Sequence, residues 1–280
     1  MRFQRELSAA VAIPAVLAVL WFGPPRAFGA LVALLALATL AEFYRLAEKS
    51  GIPVPKWIAL AIAAAILAAT VVPAPSPSGL TVAGGLFASA AIFATALMFS
   101  GVPLAQALSG TAATTLGLPL VVFPCCALIW LDRANLAGAS ARFGPRLIIF
   151  LLVTIWGCDS FAYYVGKNFG RHKLAPEVSP KKTIEGSIGG FAGSVLIAVG
   201  AAALFVPEFR LPEAAIIGGL ASTAGQIGDL VESMFKRGAG VKDSGSFLPG
   251  HGGFYDRVDS LLFAAPVLCG AVLVKMAVLS

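Results

Sequence analysis

The chain has 280 residues, of which 58% are hydrophobic and 12% charged, and its mean hydropathy is +0.88. Soluble domains carry roughly 25% charged residues, and a water-soluble fold of this length has too little interior to hide so much apolar surface. The composition therefore excludes a soluble enzyme, a disordered chain and a disulfide scaffold, and makes lipid the solvent for most of the sequence. Twenty basic against 14 acidic side chains give a formal charge of +6. In a membrane chain that excess points first to orientation and anionic headgroups, and only then to nucleic acid.

Met1 to Arg5 followed by an apolar stretch has the outline of a signal peptide. No small-residue cleavage site follows, and the next apolar segment begins a few residues later, so a retained first helix is expected. A spanning helix needs ~20 mostly apolar residues. Nine stretches qualify, at roughly 7–22, 27–47, 57–73, 80–99, 110–131, 146–166, 187–206, 212–235 and 257–279. Proline and glycine punctuate the gaps, as at Gly23-Pro24-Pro25, Pro53-Val54-Pro55 and Pro73 to Pro77. The expected fold is all-α, a polytopic membrane bundle of about nine transmembrane helices. Basic residues orient it: with the N-terminus cytoplasmic, 14 of the 20 fall on the cytoplasmic side and six on the other. No internal repeat is visible, which weakens an inverted-repeat transporter reading. Cys125, Cys126, Cys158 and Cys269 lie in apolar stretches without CxxC or Cys/His spacing, and read as small buried hydrophobes.

Polarity is uneven along the chain. Ten of the 14 acidic residues lie from Asp159 onward, so residues 1–145 read as scaffold and lipid seal and 146–280 as the catalytic region. The first polar cluster runs from Asp159 and Tyr163, on one helix face, through a basic, glycine-interleaved loop to Ser179-Pro180-Lys181-Lys182-Thr183. That loop suits a headgroup or a triphosphate, and equally a positive-inside anchor; it lacks Walker A spacing.

The eighth apolar segment carries Ser222, Gln226, Asp229 and Ser233 at i, i+4, i+7 and i+11, one face of a helix. An ionised carboxylate within a span costs ~2.5–3.5 kcal/mol on insertion scales, so the stripe needs a structural hydrogen-bond network or a bound cation to offset it. Glu232 and Lys236 are spaced to pair with each other. Beyond them come Lys242-Asp243, the run Leu248 to Gly253 and Asp256-Arg257-Val258-Asp259 at the start of the last helix. Glycines let a phosphate approach main-chain N–H groups, and the basic side chains neutralise it. Asp256 and Asp259 share one side of a first turn, and Asp259 and Asp229, from adjacent helices, are placed to converge on a hard cation such as Mg²⁺. A helix N-cap role for Asp256 is compatible with that. His251 either fixes the loop or serves as an acid, base or phosphate donor.

The run from Ser233 to Asp259 resembles the signature of the phosphatidate cytidylyltransferases, or CDP-diacylglycerol synthases. It reads Ser-x-apolar-Lys-Arg, Lys-Asp, Pro-x-His-Gly-Gly and Asp-Arg-apolar-Asp, with every fixed element met across 27 positions. Residues 226–233, 159–170 and 179–183 also look like that family, whereas the N-terminal half matches only as generic apolar spans. Ile184 stands where many relatives are expected to carry an aromatic residue.

The resemblance implies that CTP and phosphatidate give CDP-diacylglycerol and pyrophosphate, with Mg²⁺ alone or beside a second cation. It implies cation ligands at Asp229, Asp256 and Asp259 and phosphate contacts at Lys236, Arg237, Lys242 and Arg257. Gly250, Gly252 and Gly253 would give close backbone approach, Asp243 would orient a lysine or water, and Asp159, Lys181, Lys182 and Thr183 would complete the nucleotide site. The expected partners are CTP, phosphatidate and surrounding lipid, with a homodimer allowed and no nucleic acid. The expected location is a bacterial inner membrane with the site on the cytoplasmic side. Two rivals remain on sequence grounds: a CTP-dependent lipid kinase of the polyprenol or phytol type, and an ion-coupled transporter using Asp229.

Overall fold

The computed structural model describes residues 13–24, 26–72, 79–136, 139, 142–245 and 252–279. Its helices are α1 (Ile13–Phe22), α2 (Ala27–Lys49), α3 (Lys56–Val71), α4 (Gly79–Met98), α5 (Leu104–Gly117), α6 (Phe123–Asp132), α7 (Phe143–Phe169), α8 (Ile184–Phe205), α9 (Leu211–Gly238) and α10 (Tyr255–Leu279). Six are long and apolar enough to cross a membrane: α2, the continuous run Leu104–Asp132, α7, α8, α9 and α10. Ile13–Phe22, Lys56–Val71 and the Phe87–Met98 part of α4 are shorter apolar segments. The protein is a helical, polytopic membrane protein, and among the described residues six helices have spanning length where nine stretches were expected. Large apolar side chains such as Leu34, Leu196 and Leu204 stay exposed on these helices, as lipid solvation allows.

Two local features depart from the sequence reading. The basic segment after α7 is a small antiparallel ribbon, β1 (Lys173–Ala175) and β2 (Ser179–Thr183), with Lys173 opposite Thr183 and Ala175 opposite Ser179. Pro180 is tolerated there because both strands of a two-stranded ribbon are edges. Helix α9 also runs past the expected boundary at 235 to Gly238. It ends in a Schellman turn: Val241 N–H donates to Lys236 C=O, Gly240 N–H donates to Arg237 C=O, and Gly240 sits at φ +67°. Lys236 and Arg237 are therefore fixed on a last helical turn.

The chain divides into two compact units, residues 1–126 with 235–256, and residues 127–234 with 257–280. In the first unit, α5 passes into α6 through a π-helical turn at Leu118–Val122, where Pro119 removes an N–H donor. Leu118 N–H bonds Thr115 C=O, and the Thr114 C=O accepts the Tyr44 hydroxyl at 2.8 Å. Phe43 on α2 packs edge-on against Phe235 and Tyr255, with centroids 5.6 and 6.2 Å away.

In the second unit, α8 turns a face of Gly186, Gly190 and Gly193 toward α7. A Cβ at Gly190 would lie 3.0 Å from the Cys158 carbonyl oxygen, and one at Gly193 would lie 2.2 Å from Phe161 Cγ. Small residues of this spacing let membrane helices approach closely. The Gly193→Leu substitution should push Phe161 off α8 and cost about 1–3 kcal/mol. Thermal unfolding in detergent should show a clear drop, whereas an unchanged midpoint would mean that the close approach is not needed.

Candidate active site

In the second unit, α7, the ribbon and α9 each supply one charged side chain to a common cluster. Lys182 Nζ on β2 lies 2.6 Å from Asp229 Oδ2, and Ser233 Oγ, one turn along α9, reaches Asp229 Oδ1 at 3.4 Å. Asp159 on α7 feels both the like charge of Asp229 and the opposite charge of Lys182. Lys182 thus contacts Asp229 and lies within electrostatic reach of Asp159. Gly228 brings α10 against α9, since a Cβ there would lie 2.6 Å from the Asp259 carbonyl oxygen. Asp229 therefore follows directly on a residue in contact with Asp259, whose Oδ1 accepts the Ser260 N–H at 2.6 Å.

The ribbon is held in place from both ends. Thr183 caps α8, its Oγ1 accepting the Gly186 N–H at 3.1 Å, and Gly166 and Gly170 pack on its side chain. Glu185, in the first turn of α8, accepts the Arg171 and His172 N–H groups and sits 2.6 Å from His172 Nδ1. These contacts aim Lys182 at Asp229 and leave Lys181 exposed. Beneath Asp229, Gln226 donates to Ser222 Oγ and to the Ser187 C=O, and Ser222 lies 3.0 Å from Cys158 Sγ. The polar stripe on α9 is thus partly a structural network and partly a charged cluster.

In the first unit, the end of α9 meets the start of α10. Lys236 Nζ donates to Asp256 Oδ1 at 2.6 Å, and both side chains are only 11% exposed. Asp256 Oδ2 accepts the Ser244 N–H, the Ser244 hydroxyl and the Gly253 N–H at 2.8–2.9 Å. Gly252, at φ +77°, is required here, because a Cβ would sit 2.5 Å from Asp256 Oδ2. Arg237, Lys242, Asp243 and Arg257 are exposed, with Arg237 bonding the Val241 C=O at 3.1 Å. Gly250 and His251 lie outside the described residues.

One residue that the sequence reading passed over belongs to this cluster. Glu42 on α2 is fully buried; its Oε2 accepts the Ser244 hydroxyl at 2.8 Å and the Tyr255 N–H at 2.9 Å. The only sequence signal was an acidic residue inside an otherwise apolar span. Among the described residues, no group of three or more His, Cys, Asp or Glu side chains is arranged to hold a metal ion. Asp159 feels the charge of Asp229 in one unit, and Ser244 joins Glu42 to Asp256 in the other.

The Lys236–Asp256 pair makes a direct prediction. Breaking a buried ion pair by removing one partner typically costs ~3–5 kcal/mol, because the remaining charge loses its counter-ion. Lys236→Met should therefore lower the unfolding midpoint in detergent, and adding Asp256→Asn should recover part of the loss. Equal stability of wild type and Lys236→Met would show that the pair carries no such weight.

A model of the cytidylyltransferase family matches residues 3–274. A phosphatidate cytidylyltransferase of Bacillus subtilis is 49% identical over 131 residues, covering 45% of this chain and 47% of that protein. One from Staphylococcus aureus (strain COL) is 46% identical over 127 residues, covering 45% and 48%. Against these relatives the chain spans about half of their length. A phosphatidate cytidylyltransferase of Synechocystis is 34% identical over 299 residues, covering 100% of this chain and 99% of its own.

Proposed function

Because the chain belongs to the cytidylyltransferase family, we propose that it transfers the cytidylyl group of CTP to phosphatidate at the inner face of a bacterial membrane. The observation that carries this reading is the charge pairing in both clusters. Lys182 sits on Asp229 and Lys236 on Asp256, each at 2.6 Å, so lysines suited to phosphate already neutralise carboxylates suited to a cation.

A phosphate oxygen of the lipid is the nucleophile. A phosphate monoester has a second pKa of ~6 and is mostly dianionic near neutral pH, so no activated serine or cysteine is required. That oxygen attacks the α-phosphorus of CTP; the bond to the β-phosphate bridging oxygen breaks, and pyrophosphate leaves with the electron pair. The products are CDP-diacylglycerol and pyrophosphate. The obstacle is repulsion between two polyanions, which positioning and fixed cations relieve.

Lys182 and Lys236 turn from their carboxylates to substrate phosphates, while exposed Lys181, Arg237, Lys242 and Arg257 guide the anions in. Asp243 orients a neighbouring lysine, and Gly252 and Gly253 keep the backbone narrow beside Asp256. Release of the lysines frees Asp229, next to Asp259 in the second unit, and Asp256 in the first, the oxygen donors proposed for Mg²⁺. When bound, that ion would supply charge neutralisation on the phosphates. Asp159 adds negative charge beside Asp229. The finer topology in this proposal has a cytoplasmic N-terminus and counts the shorter apolar helices among nine membrane segments. CTP then arrives from the cytosol and phosphatidate laterally from the bilayer.

Purified protein in detergent should convert cytidine-labelled CTP and phosphatidate into lipid-soluble label with release of pyrophosphate, and a chelator should stop it. Asp259→Asn should lower turnover by about a hundredfold or more while remaining folded. Release of CDP in place of pyrophosphate would establish a lipid kinase instead. Wild-type turnover in Asp259→Asn would overturn the cation assignment.

A further inference from the structure

Glu42 is the most deeply buried carboxylate at the α9–α10 junction of the first unit, and it lies on a helix otherwise devoted to packing. Its surroundings give it more than a packing role. Oε2 accepts the N–H of Tyr255, the first residue of α10, whose amide has no partner within its own helix. The positive end of the α10 dipole helps offset the cost of burying the charge. The same oxygen accepts the Ser244 hydroxyl, while Arg45, one turn away on α2, lies 3.8 Å from Oε1.

Two glycines of the loop are fitted to this carboxylate. A Cβ at Gly253 would lie 2.1 Å from Oε2, and one at Gly245 would lie 2.3 Å from Oε1. Both sides of the loop therefore close over Glu42 with no room for a side chain. Ser244 then joins Glu42 to Asp256, and Asp256 to Lys236. The order of contacts is α2 carboxylate, loop hydroxyl, α10 carboxylate and α9 ammonium.

We propose that Glu42 is a positioning residue for cytidylyl transfer, anchoring Ser244 and the first turn of α10 so that Asp256 presents Lys236 in a fixed place. This rests on the function proposed above. Glu42 touches no substrate in this scheme; it sets the geometry of groups that do. A displacement of about 1 Å in a positioned charge can cost up to a hundredfold in rate, so its effect falls on turnover more than on substrate affinity.

The test uses the full chain in detergent, with Glu42→Gln, Glu42→Ala, Ser244→Ala and the Glu42→Ala/Ser244→Ala double variant. Hydrogen exchange at the amides of Ser244, Gly253 and Tyr255, kcat and KM for CTP, and the unfolding midpoint are measured together. Glu42→Ala should speed exchange at those amides and lower kcat by about tenfold or more per folded molecule, with KM for CTP changed by less than about threefold. Glu42→Gln, which keeps one acceptor oxygen and the shape, should fall between Glu42→Ala and wild type. The double variant should be no slower than the worse single one, because both act through one contact.

The proposal is overturned if exchange at the three amides matches wild type, if folded Glu42→Ala turns over at the wild-type rate, or if the two losses multiply. Should Glu42→Ala fail to fold, Glu42→Gln and Ser244→Ala carry the same comparison. A wild-type protein inactive on CTP and phosphatidate would remove the proposed reaction, and with it any role for Glu42 in that reaction. Exchange at the three amides would still decide whether Glu42 anchors the loop.

Discussion

The constraint behind the whole arrangement is the cost of an unpaired charge in a chain solvated mostly by lipid. A charge near the middle of a span is expensive unless a partner, a cavity or a helix end compensates it. The protein meets this with side chains of opposite sign held in contact. Lys182 neutralises Asp229, Lys236 neutralises Asp256, and Arg146 neutralises Glu208 at 2.7 Å. The pairs at Asp229 and Asp256 differ from a structural ion pair in one respect: both members belong to residue types that a nucleotide and its counter-ion would engage. In the proposed reaction these lysines exchange their carboxylates for substrate phosphate.

Much of the scaffold serves to aim these pairs. The glycine face of α8 brings that helix against α7, and Thr183 and Glu185 tie the ribbon to the start of α8. Lys182 is thereby delivered from a short strand onto a helix carboxylate. In the other unit a Schellman turn ends α9 at the place that leaves Lys236 facing Asp256, and Glu42 holds the loop beneath. Rigid secondary elements, rather than free loops, carry the charges that must be placed well.

The membrane class was legible from composition, and the family from the ordered run of Lys, Gly and Asp between Ser233 and Asp259, because such spacing has few other uses. The polar stripe on α9 was legible from helical periodicity, and Ser222, Gln226 and Asp229 do make contacts off the helix. The ribbon was not legible: Lys173–Ala175 is too short for an alternating pattern, and Pro180 argues against a strand unless both strands are edges. Glu42 was missed for another reason. It lies 202 residues from Ser244 in sequence, and a single acid in an apolar span does not reveal what it will face. The hydropathy stretches at 57–73 and 80–99 matched α3 and α4 closely, whereas α7 and α9 each run three residues past the expected ends at 166 and 235.

The central claim is that Lys182 occupies Asp229 in the resting protein and yields it when phosphate binds. Binding of Mn²⁺ alone to wild type and Lys182→Met, read from the free-ion electron paramagnetic resonance signal and set beside the affinity of each for CTP, tests it most directly. The account predicts that loss of the lysine tightens Mn²⁺ binding at least about fivefold while CTP binds more weakly. An unchanged or weaker affinity for Mn²⁺ in Lys182→Met would contradict it.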